Sequence, residues 1–205
     1  MNRHVCCWQR GVRTTSYIAA LAGFLSAGFG SPMLRIPLHC TRGPADQERR
    51  VAIAVPAAAR TGALYRVRVE GTDSGPISHF GLNYIYDMTD EWLVPAGARY
   101  VEGSARVVPG TGSENVRPGA RAFHQGNAIV MAMPARVDSG SSYTPPSFEF
   151  VLQATALPGA TILQTFDRFT VKANAFLVGD IAAVCEPSPR PFPVAVTKVD
   201  TGDGS

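Results

Sequence analysis

From Leu64 to Glu70 the chain reads LYRVRVE, which in an extended segment sets Tyr65, Val67 and Val69 on one face and Arg66, Arg68 and Glu70 on the other. Period-two alternation of this kind predicts a half-buried strand with one solvated face. SFEFVLQATA, Ser147 to Ala156, repeats the pattern, with Phe148, Phe150, Leu152 and Ala154 against Glu149, Val151, Gln153 and Thr155. Further short apolar runs with β-branched or aromatic residues predict strands over Met33–Thr41, Arg49–Val55, Phe80–Met88, Arg99–Val108, Ala128–Met133 and Thr161–Thr165, and over Phe166–Cys185 with a break near Gly179. Turn residues separate them at Gly71–Pro76, Pro109–Gly112, Asp138–Ser142 and Pro158-Gly159. With 20 glycines and 16 prolines, few stretches are left in which a long amphipathic helix could form. Eight or nine short strands without crossover helices predict an all-β fold, an antiparallel immunoglobulin-like β-sandwich.

The first thirty residues stand apart from this pattern. Arg3, Arg10 and Arg13 precede an apolar stretch from Tyr17 to Phe29, with small Gly28 and Gly30 at its end, which is the layout of a secretory signal peptide. The apolar stretch is shorter than the about 20 residues a membrane-spanning helix needs, so contact with the membrane is expected only during export. A lipoprotein would carry a cysteine directly behind the apolar run, but Cys6 and Cys7 precede it and Cys40 comes too late. The expected organisation is a signal peptide over 1–30, a sandwich over 31–186 and a proline-rich tail over 187–205.

Removing the leader changes the electrostatic picture. The chain has 19 basic and 16 acidic residues, and three of the arginines lie in the leader, so residues 31–205 balance at 16 against 16. No block of like charge remains, which disfavours nucleic acid as a partner. Two cysteines follow the leader, Cys40 near the start and Cys185 near the end. In an exported chain this pair predicts a disulfide tying the two ends together. It would close a loop of about 145 residues, worth roughly 4 to 5 kcal/mol in the chain-entropy picture. Two buried free thiols are the alternative. Behind Cys185, Pro187, Pro189, Pro191 and Pro193 favour an extended spacer, with room for a short edge strand over Val194–Val199.

The stretch LVPAGARYVEGSARVVPGTG carries a family resemblance. Val94, Pro95, Gly97, Tyr100, Val101, Gly103, Ser104 and Val107 match the strand, Pro-x-Gly corner and following strand of bacterial DUF11-type, or conserved-repeat, surface domains, with FEFVLQATA and Leu157-Pro158-Gly159 as later pieces. The whole layout also resembles small secreted actinobacterial proteins of unknown function, which carry one cysteine in the first strand and another before a proline-rich end, as in VCEPSP here. Both resemblances imply an immunoglobulin-like fold outside the cytoplasm, and neither implies an enzyme. The single copy, without a repeat array or sorting signal, departs from the surface-repeat pattern.

Candidate chemistry is sparse. His39, His79 and His124 fall in no metal-ligand spacing such as H-E-x-x-H. Gly71–Gly75 does not space a serine as a nucleophile elbow does, and the glycines of Pro109–Gly112 precede no helix that could hold phosphate. Asp87, Asp90 and Glu91 place three carboxylates within five residues, a candidate calcium-binding turn or, more simply, a solvated turn ahead of Trp92. Lys172 with Asn174 is a candidate for an isopeptide bond, although both lie on the same strand; the remaining lysine behind the leader is Lys198. Tyr84, Tyr86, Trp92, Tyr100, Phe148, Phe150, Phe166, Phe169 and Phe176 read first as core and second as a glycan- or lipid-contacting patch.

These observations favour an exported, non-catalytic β-sandwich of the cell envelope or extracellular space, without a cofactor, that binds a protein or glycan ligand at the cell surface or has a structural role. The alternative is a secreted hydrolase or lyase with a loop-borne site around His79, Asp87, Asp90 and His124, which requires those groups to converge in one cleft.

Overall fold

The computed structural model describes residues 33–43 and 46–201. The expected signal peptide at 1–30 lies outside the described residues. Strands form where the alternation predicts them, in the order β1 (Met33–Cys40), β2 (Asp46–Ala54), β3 (Ala58–Ala59), β4 (Leu64–Gly71), β5 (Leu82–Leu93), β6 (Ala98–Tyr100) and β7 (Arg106–Val107). They continue as β8 (Arg121–Gln125), β9 (Ala128–Met133), β10 (Val137–Asp138), β11 (Phe148–Ala154), β12 (Thr161–Ala175), β13 (Gly179–Pro187) and β14 (Phe192–Val199). The class is the expected one, all-β and antiparallel, with a single parallel pairing among the described residues, β14 with β3. The strand count is larger than eight or nine because short ladders such as β3, β7 and β10 form where turns brush against neighbouring strands, and because the five-residue β8 escaped the pattern.

All the strands belong to one hydrogen-bonded sheet whose main path, β6-β11-β4-β2-β1-β13-β12-β5-β9-β8, doubles back on itself, while β3, β7, β10 and β14 pair off that path. One layer holds β11, β4, β2 and β1, and the other holds β13, β12, β5 and β9. The path crosses between layers at β1 and β13, where Leu38, His39 and Cys40 lie opposite Pro187, Glu186 and Cys185. Cys40 and Cys185 are directly paired and form a disulfide, as the sequence predicts. A second link runs from β3, in the connection between β2 and β4, to β14.

The alternating face of β4 buries Tyr65, Val67 and Val69, and that of β11 buries Phe148, Phe150 and Leu152. Opposite them Trp92 packs edge-on against Phe148 and Phe166, with ring centroids 6.0 and 5.2 Å apart. Each such side chain contributes about 1.5–3 kcal/mol by burial, and the edge-to-face contacts about 0.5–1.5 kcal/mol more.

Three irregularities in the β5–β12 ladder reset the alternation, one of them at Asn83 near the hairpin end. In β5, Thr89 lies opposite Thr170 and Tyr86 opposite Lys172, so Asp87 and Met88 share one partner position. Asp87 takes a φ of 47° to do so. As a result Ile85 and then Met88, Asp90 and Trp92 all face inward, across a change from odd to even positions. In β12 the extra residue is Asp167, between Phe166 opposite Trp92 and Arg168 opposite Glu91. Inward Ile162, Gln164 and Phe166 therefore give way to inward-turned Phe169, Val171 and Ala173. The separate strands expected over Thr161–Thr165 and from Phe166 onward are one continuous strand, Thr161–Ala175.

The LVPAGARYVEGSARV stretch turns as a corner between β5 and β6. Gly97 has a φ of 81°, and a Cβ there would meet the Ala156 Cβ at 2.8 Å, so both conformation and space require glycine. The strand expected over Arg99–Val108 is split into β6 and β7, which pair with different parts of β11. Between them the Ala105 amide donates to the Tyr100 hydroxyl at 3.0 Å.

The segment behind Cys185 is more ordered than the expected spacer. Phe192–Val199 pairs with β12 along one side and with β3 on the other, so it is an internal strand over its last residues. Pro193 fits because the ladder skips Val194, a place where the missing amide is tolerated. Replacing both cysteines, Cys40→Ser with Cys185→Ser, is expected to lower stability by about 2–5 kcal/mol, measured as a reduced urea midpoint with a steeper denaturant slope, because the unfolded chain without its cross-link exposes more surface.

Candidate functional site

The two ends of the sandwich are filled differently. At one end Trp92, Phe148, Phe150 and Phe166 occupy the space between the layers. At the other, the inward positions of β12 and β13 are Val171, Ala173, Ala175, Ile181 and Ala183, and the alanines are too short to reach the facing layer. A cavity of about 400 Å³ results. Its walls are mainly apolar, with Leu38 and Cys40 from β1, Leu82 and Ile85 from β5, and Phe169 from β12. The loop from Thr72 to Phe80 closes it over, held by bonds from the Ser74 amide to the Tyr143 carbonyl and from the Ile77 amide to the Ser141 carbonyl.

The floor between the hollow and the filled end is a buried ion pair. Arg49 reaches from β2 to Asp90 on β5 through Nη2, and its Nη1 donates to the Tyr143 hydroxyl at 3.4 Å. The guanidinium lies 5.1 Å from the centroid of the Phe169 ring. Arg49 is 8% exposed and Asp90 2%. Burial pushes the Asp90 carboxyl above the usual carboxylate range, opposed by the adjacent guanidinium. Burial likewise raises the Tyr143 hydroxyl. Arg49 Nε and Asp90 Oδ1 have no hydrogen-bond partner, so the pair is incompletely satisfied.

The expected acidic turn is not a turn. Asp87, Asp90 and Glu91 lie inside β5, and the alternation sends them to three different cations. Asp87 accepts from Lys172 Nζ at 3.0 Å, Asp90 from Arg49, and Glu91 from Arg168 Nη2 at 2.8 Å. Among the described residues no three His, Cys, Asp or Glu side chains are grouped as metal ligands. Lys172 is exposed and paired with Asp87, and Asn174 bonds Asp180 and Asn83, a solvated arrangement unlike a buried isopeptide site.

The four residues of the enzyme alternative do not converge. His79 is exposed on the loop over the cavity. Asp90 is sealed behind the cavity floor, and Asp87 is on the outer face with Lys172. His124, on β8, lines a different concavity, where its ring packs tilted against Tyr100 and its Nδ1 lies 3.2 Å from a Glu102 carboxylate oxygen. No nucleophile is paired with His79: the nearby Ser74 hydroxyl donates to the Gly75 carbonyl and accepts from the Tyr143 amide.

Among the aromatic residues, Trp92, Tyr100, Phe148, Phe150 and Phe166 are core. Tyr84 and Tyr86 line the outer face, beneath Arg136 and Lys172 respectively. Phe176 is exposed. The cavity itself escaped sequence reading, although the alternating alanines of VKANA and DIAAV are its signal.

No family model matches the chain, and no curated protein matches it in sequence. Among solved structures it is similar to a cohesin module from a Clostridium perfringens ATCC13124 family 33 glycoside hydrolase, with 7% identity over 80% of this chain and 98% of that one, at a TM-score of 0.37. It is also similar to the group B streptococcus pilus 2b backbone protein, with 14% identity, 63% of this chain and 55% of that one covered, and a TM-score of 0.38. A putative membrane anchored protein from Corynebacterium diphtheriae shares 14% identity over 84% of this chain and 38% of that one, with a TM-score of 0.38. Likeness at this distance lends nothing to the site, which is read from its own geometry.

Breaking the buried pair should cost more than replacing it. Asp90→Leu alone strands the Arg49 charge and is expected to lose about 3–5 kcal/mol, whereas adding Arg49→Met should recover most of that loss. Urea unfolding of the two single variants and the double variant measures the difference.

Proposed function

We propose that the chain is an exported, non-catalytic binding module whose ligand is a small apolar molecule held in the cavity between β12, β13, β1 and β2. The observation that carries this reading is a mainly apolar hollow of about 400 Å³ between the two layers. Protein interiors are close-packed, and the apolar walls here lose dispersion contacts as long as they stand empty. The volume falls within the about 300–1,000 Å³ typical of small-molecule sites. Binding rather than catalysis is supported by the dispersal of His79, Asp87, Asp90 and His124 and by the saturation of nearby hydroxyls in structural bonds. Export is supported by the disulfide, which persists in oxidising compartments, together with the leader pattern.

The test uses the dye 1-anilinonaphthalene-8-sulfonate with the folded, disulfide-bonded protein. Saturable fluorescence enhancement with one dye per chain is expected, under conditions where near-ultraviolet circular dichroism reports a fixed core. Ala173→Phe, which fills the hollow from β12, should keep that signal and weaken dye binding at least tenfold. Unaltered binding by a folded Ala173→Phe protein, or no binding by the unsubstituted one, contradicts the reading.

A further inference from the structure

The mouth of the cavity narrows the class of ligand. Four large apolar side chains stand in solvent: Phe80 is fully exposed, Leu177 is 90% exposed, Val178 69% and Phe176 68%. They are neighbours, since the Phe176 amide donates to the Gly81 carbonyl at 2.7 Å, joining the tip of the β12–β13 hairpin to the loop that covers the cavity. Phe80 also lines the cavity, so the exposed apolar cluster reaches the cavity wall at that residue. An exposed cluster of this size on a small domain marks a contact with something apolar.

The charges at the mouth are equal in number but not all paired. Of the guanidiniums that line it, Arg50 is bonded to Glu48 and Arg49 to Asp90, whereas Arg42 is exposed and has no carboxylate partner among the described residues. The remaining carboxylate, Asp73, is engaged by the Gly75 amide at 3.0 Å. An anionic group therefore has one partner waiting, at the mouth. It has none at the floor, where Asp90 already neutralises Arg49 and a second buried carboxylate would be uncompensated. The length of the ligand follows from volume. Taking about 30 Å³ for a methylene-sized unit, the share a water molecule has in the liquid, the hollow takes on the order of a dozen carbons in one chain.

We infer that the cavity binds a monomeric long-chain carboxylate, its alkyl chain lying against Phe169, Val171, Ala183 and Ile181 and its carboxylate at the Arg42 guanidinium. This rests on the cavity's being the ligand seat. The apolar cluster of Phe80, Phe176, Leu177 and Val178 stands beside the mouth, where it would meet the part of the chain that projects from the cavity.

The experiment is displacement of 11-dansylaminoundecanoic acid from the folded, disulfide-bonded protein by laurate, by dodecanol and by dodecyltrimethylammonium, repeated with Arg42→Glu and with the rim variant Leu177→Ser. Laurate is expected to displace the probe at least tenfold more effectively than dodecanol and dodecyltrimethylammonium. Arg42→Glu should remove that preference while leaving dodecanol unchanged, and Leu177→Ser should weaken all chains that bind, without reversing their order. Equal displacement by laurate and dodecanol, or a preference that survives Arg42→Glu, overturns the carboxylate assignment and leaves the cavity as an apolar seat. No displacement by any chain, with no dye binding, overturns both. A sedimentation mass of two chains that Leu177→Ser returns to one, with no laurate binding, assigns the rim to a second copy and also overturns the inference.

Discussion

The pairing of β1 with β13 holds the two layers of this sandwich in place. It spans only Leu38–Cys40 against Cys185–Pro187, yet it is where one continuous sheet folds over on itself. A ladder so short would fray, because few hydrogen bonds oppose the entropy of opening. The disulfide within it keeps the crossing closed, and both cysteines also line the cavity. The same bond that closes the fold therefore forms part of the wall of the hollow, so the opening between the layers keeps a fixed width.

A fixed frame explains how a hollow can persist. Alanines at 173, 175 and 183 would allow two free sheets to approach until the gap disappeared. Here the approach is limited on one side by the β1–β13 crossing and at the floor by Arg49, Asp90 and Tyr143, whose polar atoms must meet at hydrogen-bonding distance. The aromatic packing of Trp92 with Phe148 and Phe166 stabilises the other end and leaves the hollow to be filled by something other than this chain's own side chains.

Much of the fold is legible in the alternation of apolar residues. The inward faces of β4 and β11 follow from Tyr65, Val67, Val69 and Phe148, Phe150, Leu152 by period alone. Legibility fails at Asp87 and Asp167, where one extra residue moves every later side chain to the opposite face. The acidic cluster at Asp87–Glu91 misleads for a related reason. Three neighbouring carboxylates look like one feature along the chain, but a strand sends them to opposite faces, and their partners Lys172, Arg49 and Arg168 come from distant strands. The cavity is hidden differently, since a small inward residue signals empty space only when the facing layer and its distance are known. The proline spacing after Cys185 leaves only a short edge strand over Val194–Val199 to be expected, and it hides the start of β14 at Phe192 because the ladder skips a residue beside Pro193.

The central claim is that the alanine-lined end of the sandwich, and not its aromatic-filled end, receives the ligand. It is tested most directly by methyl-labelled nuclear magnetic resonance of the folded protein during titration with laurate. The account predicts shifts at Leu38, Ile85, Val171 and Ile181, which line the hollow, with little change at Val67, Leu152 and Ile162, which belong to the filled core. Shifts spread evenly over both groups, or absent from the first, would contradict it.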